Sequence, residues 1–180
     1  NGEVDVSTSL ALTGQDIEVT GRTTSANGRI FTIDTEGTSS LQEMDLGTVV
    51  KEGSGSLALT GPGDNSGLAA IVNAGLLILD KPSTVNVHAI GGGGLTINNG
   101  GTVQLAGTGG DQIYFGGLVR VNAGGVLDLN GHDEQVNTIA TLAGTILNAS
   151  ATASVFTFVT ASNENFIVDG TGDITLNGAI

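Results

Sequence analysis

The sequence predicts an all-β chain: a parallel β-helix (solenoid) of about eight coils, with little or no helix. The first observation is a recurring phrase of two alternating apolar residues, an Asn or acidic residue, a glycine turn and two more alternating apolar residues. The second is its spacing of about 23 residues, which is typical of solenoids. The third is that no glycine-free window of a dozen residues has apolar residues at helical spacing, and each internal glycine costs a helix about 1 kcal/mol.

The copies of the phrase follow one another along the whole chain. The pentapeptide Leu10–Gly14 recurs letter for letter at 57–61. Taking the last apolar residue of each copy as a marker gives Leu12, Ile33, Leu59, Leu79, Leu105, Leu129 and Leu176. The last interval is about twice the others, so a degenerate copy is expected within residues 140–160. We expect each copy to form one coil, stacked about 4.8 Å from the next, so that residues 1–180 form a single repeat domain.

Two details of the phrase predict how neighbouring coils align. The copy at 70–79 has one turn glycine where the copy at 95–105 has two, and this deletion places Leu77 and Leu79 opposite Val103 and Leu105. A second detail concerns three asparagines, which precede the turn in successive copies. They either form a hydrogen-bonded ladder or merely tolerate left-handed backbone geometry. These asparagines are Asn73, Asn98 and Asn122. Glu52 and Asp169 fill the equivalent place near the ends, where we expect no closed ladder.

Composition and charge exclude several classes of function. The 180 residues carry 18 acidic and 5 basic side chains, for a net charge of −13, and 39% are hydrophobic. Nucleic acids and anionic lipids need a basic face, so neither is expected as a partner. This hydrophobic share is enough to form a buried core, so we expect a folded chain. The chain has no cysteine, no signal peptide and no apolar run long enough to insert into a membrane, and we expect it to be a piece of something longer.

About half of the chain, residues 56–148, resembles a known repeat family. The matching segments are Gly53–Gly61, Ile71–Gly75, Leu95–Leu105, Val121–Gly131 and Thr141–Leu147. This pattern resembles the autotransporter-associated β-strand repeat, also called the passenger-associated transport repeat. The resemblance implies a right-handed β-helical passenger of a bacterial surface or secreted protein exported by the type V route. The family has no catalytic residues to carry over, and this sequence departs from it at the shortened turn and in an insertion around Gly107–Gly117.

Three places in the sequence are candidate sites. Gly107–Ile113 faintly resembles a calcium-binding nonapeptide, but such sites need tandem copies, so a plain loop is favoured. His132–Glu134 places an imidazole beside two carboxylates, which suits metal binding or proton transfer. It falls at a turn, so a solvated turn is favoured. His88 has no partner nearby in sequence and is interpreted as structural or exposed.

A polysaccharide-cleaving groove is the remaining catalytic possibility. It would use paired acids or an acid beside a base on outward strand positions, such as Asp128 with Arg120, or Asp45 with Lys51. The five basic residues are scattered and aromatic residues are few, which speaks against it. The glycine run Gly91–Gly94 lacks the Lys-Ser/Thr of a phosphate loop. The sequence therefore predicts no catalytic, cofactor-binding or metal-binding residue, and no cofactor.

These observations favour a non-enzymatic structural or adhesive segment, extracellular or on a bacterial cell surface. Partners could be a host or matrix glycan or protein, or further copies of the chain added at the coil ends to form filaments. The alternative is a glycan-binding or polysaccharide-processing β-helix. A β-sandwich binding module is a third hypothesis, and the near-constant repeat speaks against it.

Overall fold

The computed structural model describes residues 4–5, 9–24, 28–45, 47–163 and 165–179. Over these residues the chain is all β, with eighteen strands and no helix. The strands are β1 Val4–Asp5, β2 Leu10–Gly14, β3 Glu18–Thr24, β4 Ile30–Thr35, β5 Thr38–Asp45, β6 Thr48–Glu52, β7 Ser56–Leu59, β8 Ala69–Val72, β9 Gly75–Leu79, β10 Gly94–Ile97, β11 Gly101–Leu105, β12 Leu118–Val121, β13 Val126–Asp128, β14 Glu134–Leu142, β15 Thr145–Asn148, β16 Ser154–Asn163, β17 Ile167–Gly170 and β18 Ile174–Ala179.

The strands form two parallel sheets of nine strands each. Odd-numbered strands form one sheet and even-numbered strands the other, each in chain order. Each coil therefore contributes one strand to each sheet, and the whole is a β-solenoid of about eight turns. The step between paired residues varies from 18 residues, at Leu41 and Leu59, to 26 residues, at Leu79 and Leu105. The predicted parallel solenoid is confirmed, while its right hand stays a prediction.

The core consists of inward side chains stacked in columns, because alternate residues of a strand point to opposite faces. In the odd-numbered sheet one column runs without interruption through five coils. Its members are all fully buried and lie opposite one another in register: Leu57, Leu77, Val103, Leu127 and Ile146. Each such side chain contributes roughly 1.5–3 kcal/mol of burial free energy. A single coil has nothing to cover this face, so each coil depends on its neighbours.

The identical pentapeptides lie on different sheets. The copy at Leu10–Gly14 is β2 of the even-numbered sheet, whereas Leu57 and Leu59 belong to β7 of the odd-numbered sheet. The markers chosen from the sequence therefore do not form one column: Leu12 pairs with Ile33, and Leu176 pairs with Phe156, in the even-numbered sheet. The use of these residues as equivalent positions of one repeat was therefore wrong. Both strands of a coil carry the same apolar alternation, so the sequence pattern does not distinguish them. The degenerate copy expected within 140–160 contains β15, which continues the odd-numbered sheet.

The predicted alignment across the shortened turn is confirmed. Leu77 pairs with Val103, and Leu79 pairs with Leu105. Gly75 supports this turn with a positive φ of 67°. A Cβ at Gly75 would lie 2.5 Å from the carbonyl oxygens of Gly53 and Gly55, so only glycine fits here.

The asparagine ladder is present. Asn98 Nδ2 donates to Asn73 Oδ1 at 2.7 Å, and Asn122 Nδ2 donates to Asn98 Oδ1 at 2.6 Å. Glu52 extends the ladder, since Asn73 Nδ2 donates to its Oε1 at 2.5 Å. The expectation that a charged residue would not join the ladder was wrong for Glu52, which can accept as a terminal member because its carboxylate only accepts hydrogen bonds. Asp169 does not occupy the equivalent place: it pairs with Leu147 in the other sheet.

Candidate functional site

Three connections between the two sheets leave the regular coil outline together. They comprise residues 60–68, 80–93 and 106–117, which we call the loop cluster. Parallel bridges join Pro82 to Thr108 and Ile90 to Ile113. The cluster has its own buried apolar residues, which belong to the main core: Leu68, Ala89, Ile90 and Ile113. The loops are therefore stacked in register like the strands that they connect, and side chains one coil apart become neighbours.

His88 lies at the centre of the loop cluster, between carboxylates from the two neighbouring coils. Only 4% of the residue is exposed. Its Nδ1 lies 3.1 Å from Asp64 Oδ1, and its backbone nitrogen donates to that same oxygen at 2.8 Å. On the other side, Nε2 lies 3.7 Å from Asp111 Oδ1. The Tyr114 ring packs edge-on against the imidazole, with centroids 5.2 Å apart. Burial raises the pKa of Asp111, and the nearby His88 partly opposes that shift.

Two neighbouring clefts share Val85, His88 and Tyr114 in their linings. The larger has a volume of about 510 Å³ and is lined by Ser83, Thr84, Val85, His88, Gly110, Asp111, Tyr114, Phe115 and Gln135. The smaller, of about 340 Å³, is lined by Asp64, Ser66, Val85, Asn86, His88 and Tyr114. Val85, Tyr114 and Phe115 are exposed apolar side chains. The clefts thus combine carboxylates, an imidazole and apolar walls, and no lysine or arginine lines either one.

A buried polar chain beneath the loops holds this arrangement in place. The Lys81 ammonium donates to the carbonyl oxygens of Gln42, Thr60, Gly61 and Gly63 at 2.7–3.3 Å. Burial lowers the pKa of Lys81 to about 8. The Gln112 amide Nε2 donates to Lys81 O at 2.7 Å. Lys81 is therefore directed inward and satisfied by backbone, and its charge does not enter the clefts.

Glu134 anchors the other end of this chain. Its Oε2 accepts from the backbone nitrogens of Gln112 at 2.8 Å and Ile113 at 3.3 Å, and its Oε1 accepts from Gln135 N at 3.0 Å. Burial raises the pKa of Glu134 to about 8, although the three N–H donors act in the opposite direction. These bonds fix residues 112–113 beside Asp111, so Glu134 positions the loop that carries one of the clefts' carboxylates.

The candidate segments Gly107–Ile113 and His132–Glu134 lie in different environments in the structure. Gly107–Ile113 is a loop, as favoured, and its Asp111 faces His88. The triplet His132–Glu134 does not converge: Glu134 is buried, whereas Asp133 is exposed and accepts from Val155 N at 2.7 Å. The solvated turn favoured for this triplet is therefore wrong for Glu134. Within the described part of the chain, no group of three or more His, Cys, Asp or Glu side chains could hold a metal ion.

The predicted acid–base pair of Asp128 and Arg120 is not assembled. Asp128 lies on β13 and Arg120 on β12, in different sheets. Asp128 is 3% exposed, with Oδ1 accepting from Asn130 N and Ala149 N and Oδ2 accepting from Gln104 Nε2. Groups of the neighbouring coils therefore cover the Asp128 carboxylate. The prediction that it faces outward and is available for catalysis was wrong.

Lys51, the other basic candidate, is also a structural residue. It occupies an inward position of the even-numbered sheet, between Ile33 and Val72, and its Nζ donates to the carbonyl oxygens of Glu52, Gly53 and Ala74. Burial lowers its pKa. The side chain of Asp45 lies outside the described residues. The glycine run Gly91–Gly94 ends a loop and enters β10, whose first residue is Gly94, and it opens no helix.

Sequence reasoning missed the grouping of Asp64, His88 and Asp111. The signal was available in the spacing: Asp64 precedes His88 by 24 residues and Asp111 follows it by 23, which is one coil in each direction. Local inspection around His88 could not find it, because a solenoid makes neighbours of residues one repeat apart.

Comparison of the chain with protein-family models, curated proteins and solved structures finds no match. Among the described residues, no helix is long and apolar enough to span a membrane. Inferences about function therefore depend on the fold and on the loop cluster.

Proposed function

We propose that this chain is a non-enzymatic structural and adhesive segment of a bacterial extracellular or cell-surface protein, of the autotransporter passenger type. The observation that carries the proposal is the stack itself: over the described residues, each sheet runs through nine strands in chain order, and the long loops of the loop cluster project from it. Eight steps of about 4.8 Å make a rod on the order of 38 Å. Such a segment holds other parts of a protein at a distance and presents its loops for contact.

The acidic, cysteine-free composition supports an exported, extracellular role. A net charge of −13 favours solubility, and without cysteine no premature disulfide forms during export. Coils that depend only on nearest neighbours also suit an exported chain, because each new coil folds onto the preceding one. The resemblance to passenger-associated repeats agrees with this assignment.

Pulling the chain by its ends in a single-molecule force experiment tests the structural role. Coils of 18–26 residues should detach one after another, each releasing roughly 60–90 Å of contour length at about 3.4 Å per residue. Small-angle scattering on the same sample should report an elongated particle. A single rupture of the whole chain together with a spherical scattering profile would contradict a stiff segment built of separable coils.

Adhesion is tested with beads coated with the chain and allowed to settle on immobilised matrix proteins and glycans. Retention should depend on the loop cluster, so Tyr114→Ala should reduce it. Thr175→Ala, an exposed position on β18 remote from the cluster, serves as the matched control. Equal retention for the two variants would show that the loop cluster is not part of the adhesive surface.

The proposal includes end-to-end association as a variant. Among the described residues, β17 is the last strand of the odd-numbered sheet; all four of its residues are exposed, including Ile167 and Val168. An edge of this kind can pair with another copy. Particle length that increases with protein concentration in electron micrographs would support filaments, while a constant length would exclude them over that range.

Glycan binding or processing is the second candidate function. It is favoured by the exposed rings of Tyr114 and Phe115 beside Asp111 in the larger cleft, because aromatic faces and carboxylates together suit sugar rings. A screen of neutral and acidic polysaccharides discriminates the two. Turnover that is lost in Asp111→Asn would replace the structural proposal by an enzymatic one, and binding without turnover would assign the adhesive partner to glycans.

A further inference from the structure

We propose that this chain associates side by side with a second copy of itself, through the outer face of the odd-numbered sheet. The inference rests on the structural role proposed above and adds a contact between neighbouring stalks. It is carried by the lack of exposed charge on that face, by the spacing of its side chains and by its area.

The surface in question consists of two columns of outward side chains on β7, β9, β11, β13 and β15, which we call the neutral face. Strand register gives its members as Ser56, Leu76, Thr102, Val126 and Thr145 in one column and Ala58, Ile78, Gln104, Asp128 and Leu147 in the other. All of them except Asp128 are partly exposed, and half of them are aliphatic. The neutral face is therefore a flat strip of apolar and small polar side chains that is open to a partner.

The charge of the neutral face contrasts with that of the rest of the chain. Asp128 is the one ionisable member, it is 3% exposed, and three donated hydrogen bonds cover its carboxylate. The outer face of the even-numbered sheet instead carries Asp34, Glu52 and Arg120, which are all partly exposed. Two copies that each have a net charge of −13 repel one another, and they can approach with least repulsion where neither exposes a charge.

The spacing of the side chains favours a second copy as the occupant. Neighbouring strands of a sheet lie about 4.8 Å apart, so the rows of side chains on the neutral face repeat at about that distance. Two sheets that pack face to face keep their strands within about 30° of one another, and their side chains interlock in a layer about 10 Å thick. A second neutral face has the same row spacing, so the rows of one copy fit between those of the other.

The area of the neutral face predicts a weak, reversible contact. Its strands and their residue spacing give a face on the order of 24 Å by 16 Å. Two such faces bury on the order of 800 Å² in total, which is less than the roughly 1,200 Å² of stable complexes. Free copies should therefore pair only at high concentration, whereas stalks held side by side on one surface have a high effective concentration.

The test is sedimentation velocity of the folded chain over a range of protein and salt concentrations. We expect a reversible equilibrium that ends at the dimer, because a two-fold contact uses the same face of both copies. Association should strengthen at least threefold from about 0.01 M to about 0.1 M salt, since the screening length falls from about 30 Å to about 10 Å. A chain that stays monomeric up to its solubility limit would overturn the proposal, as would open-ended growth without a dimer, which would indicate contacts at the coil ends.

Matched variants separate this face from general charge repulsion. Thr102→Glu places a carboxylate at the centre of the neutral face and should weaken dimerisation at least tenfold. Thr96→Glu makes the same change of net charge at a partly exposed threonine of β10, on the other sheet, and it should weaken dimerisation less than twofold. Equal weakening would overturn the proposal.

The unaltered chain decides the question even if Thr102→Glu does not fold. Nuclear magnetic resonance at increasing concentration should shift amides of β7, β9, β11, β13 and β15, with little change in the even-numbered strands. Shifts confined to the even-numbered sheet or to the loop cluster would assign the contact elsewhere and overturn the proposal.

The outcomes for this contact and for the structural role are distinguishable. An elongated particle that unfolds coil by coil but never dimerises overturns the contact and leaves the stalk. A compact particle that dimerises through the neutral face overturns the stalk and leaves the contact.

Discussion

The asparagine ladder predicts a specific loss of stability when its middle member is removed. Asn98 makes two ladder bonds, donating to Asn73 at 2.7 Å and accepting from Asn122 at 2.6 Å. Asn98→Ala removes both and leaves a carbonyl oxygen and an amide without these partners in a half-buried turn. Each lost bond costs about 1 kcal/mol, and each unsatisfied group adds to that. We expect the free energy of unfolding to fall by about 2–4 kcal/mol.

Urea denaturation followed by circular dichroism measures this loss. Asn99→Ala is the matched control, since Asn99 is the next residue, is exposed and is not a ladder member. It should change stability by less than about 0.5 kcal/mol, as is usual for surface sites. The double variant Asn98→Ala with Asn122→Ala should cost less than the sum of the single changes, because the two share one bond. If Asn98→Ala and Asn99→Ala have the same midpoint, the ladder does not stabilise the stack.

Three further predictions concern buried residues of the stack. The raised pKa of Glu134 means that the folded chain holds a proton which the unfolded chain releases, so stability should fall as the pH rises from 4.5 to about 8, by at most about 5 kcal/mol. Unfolding free energies at several pH values should show this fall, and Glu134→Gln should lack it; equal pH profiles would refute the assignment. Lys81→Met leaves four carbonyl oxygens without their donor and should cost about 3–5 kcal/mol in urea unfolding, so an unchanged midpoint would contradict its structural role. Leu105→Ala opens a cavity between coils and should cost about 2–5 kcal/mol, against less than about 1 kcal/mol for Thr102→Ala on the outer face, and equal costs would argue against the inward column.

Much of the fold could be predicted because its rules are periodic. Alternation of apolar residues predicted strands, the regular spacing predicted stacking, and the missing glycine at the Gly75 turn predicted the pairing of Leu77 with Val103. The assignment of copies to sheets could not be predicted in the same way. Leu12 and Leu59 are the third residues of identical pentapeptides and yet lie in different sheets, because both strands of a coil bury the same kind of side chain.

The candidate site was less predictable, since it depends on loops of unequal length. The sequence around His88 shows no partner and predicts a structural or exposed residue, and it predicts Asp111 to be part of a plain loop insertion; His88 is in fact buried. Only the stacking of the loops places Asp64 and Asp111 on either side of the imidazole. Buried titratable side chains were also not predicted: Glu134 and Lys51 occupy positions that the period-two pattern assigns to apolar residues or to solvent, and backbone groups bind each of them.

The central claim, that successive coils lie in parallel register, is tested most directly by engineered disulfides. The chain has no cysteine, so no native thiol competes with an introduced pair. Thr96 and Arg120 are paired residues on neighbouring coils, at a spacing that a disulfide can bridge. Thr96→Cys with Arg120→Cys should form an intramolecular disulfide under mild oxidation, identified by mass spectrometry of the linked peptides. Thr96→Cys with Leu118→Cys, two residues out of register, should react far more slowly. Equal rates, or faster linkage in the second pair, would contradict the stacked parallel arrangement.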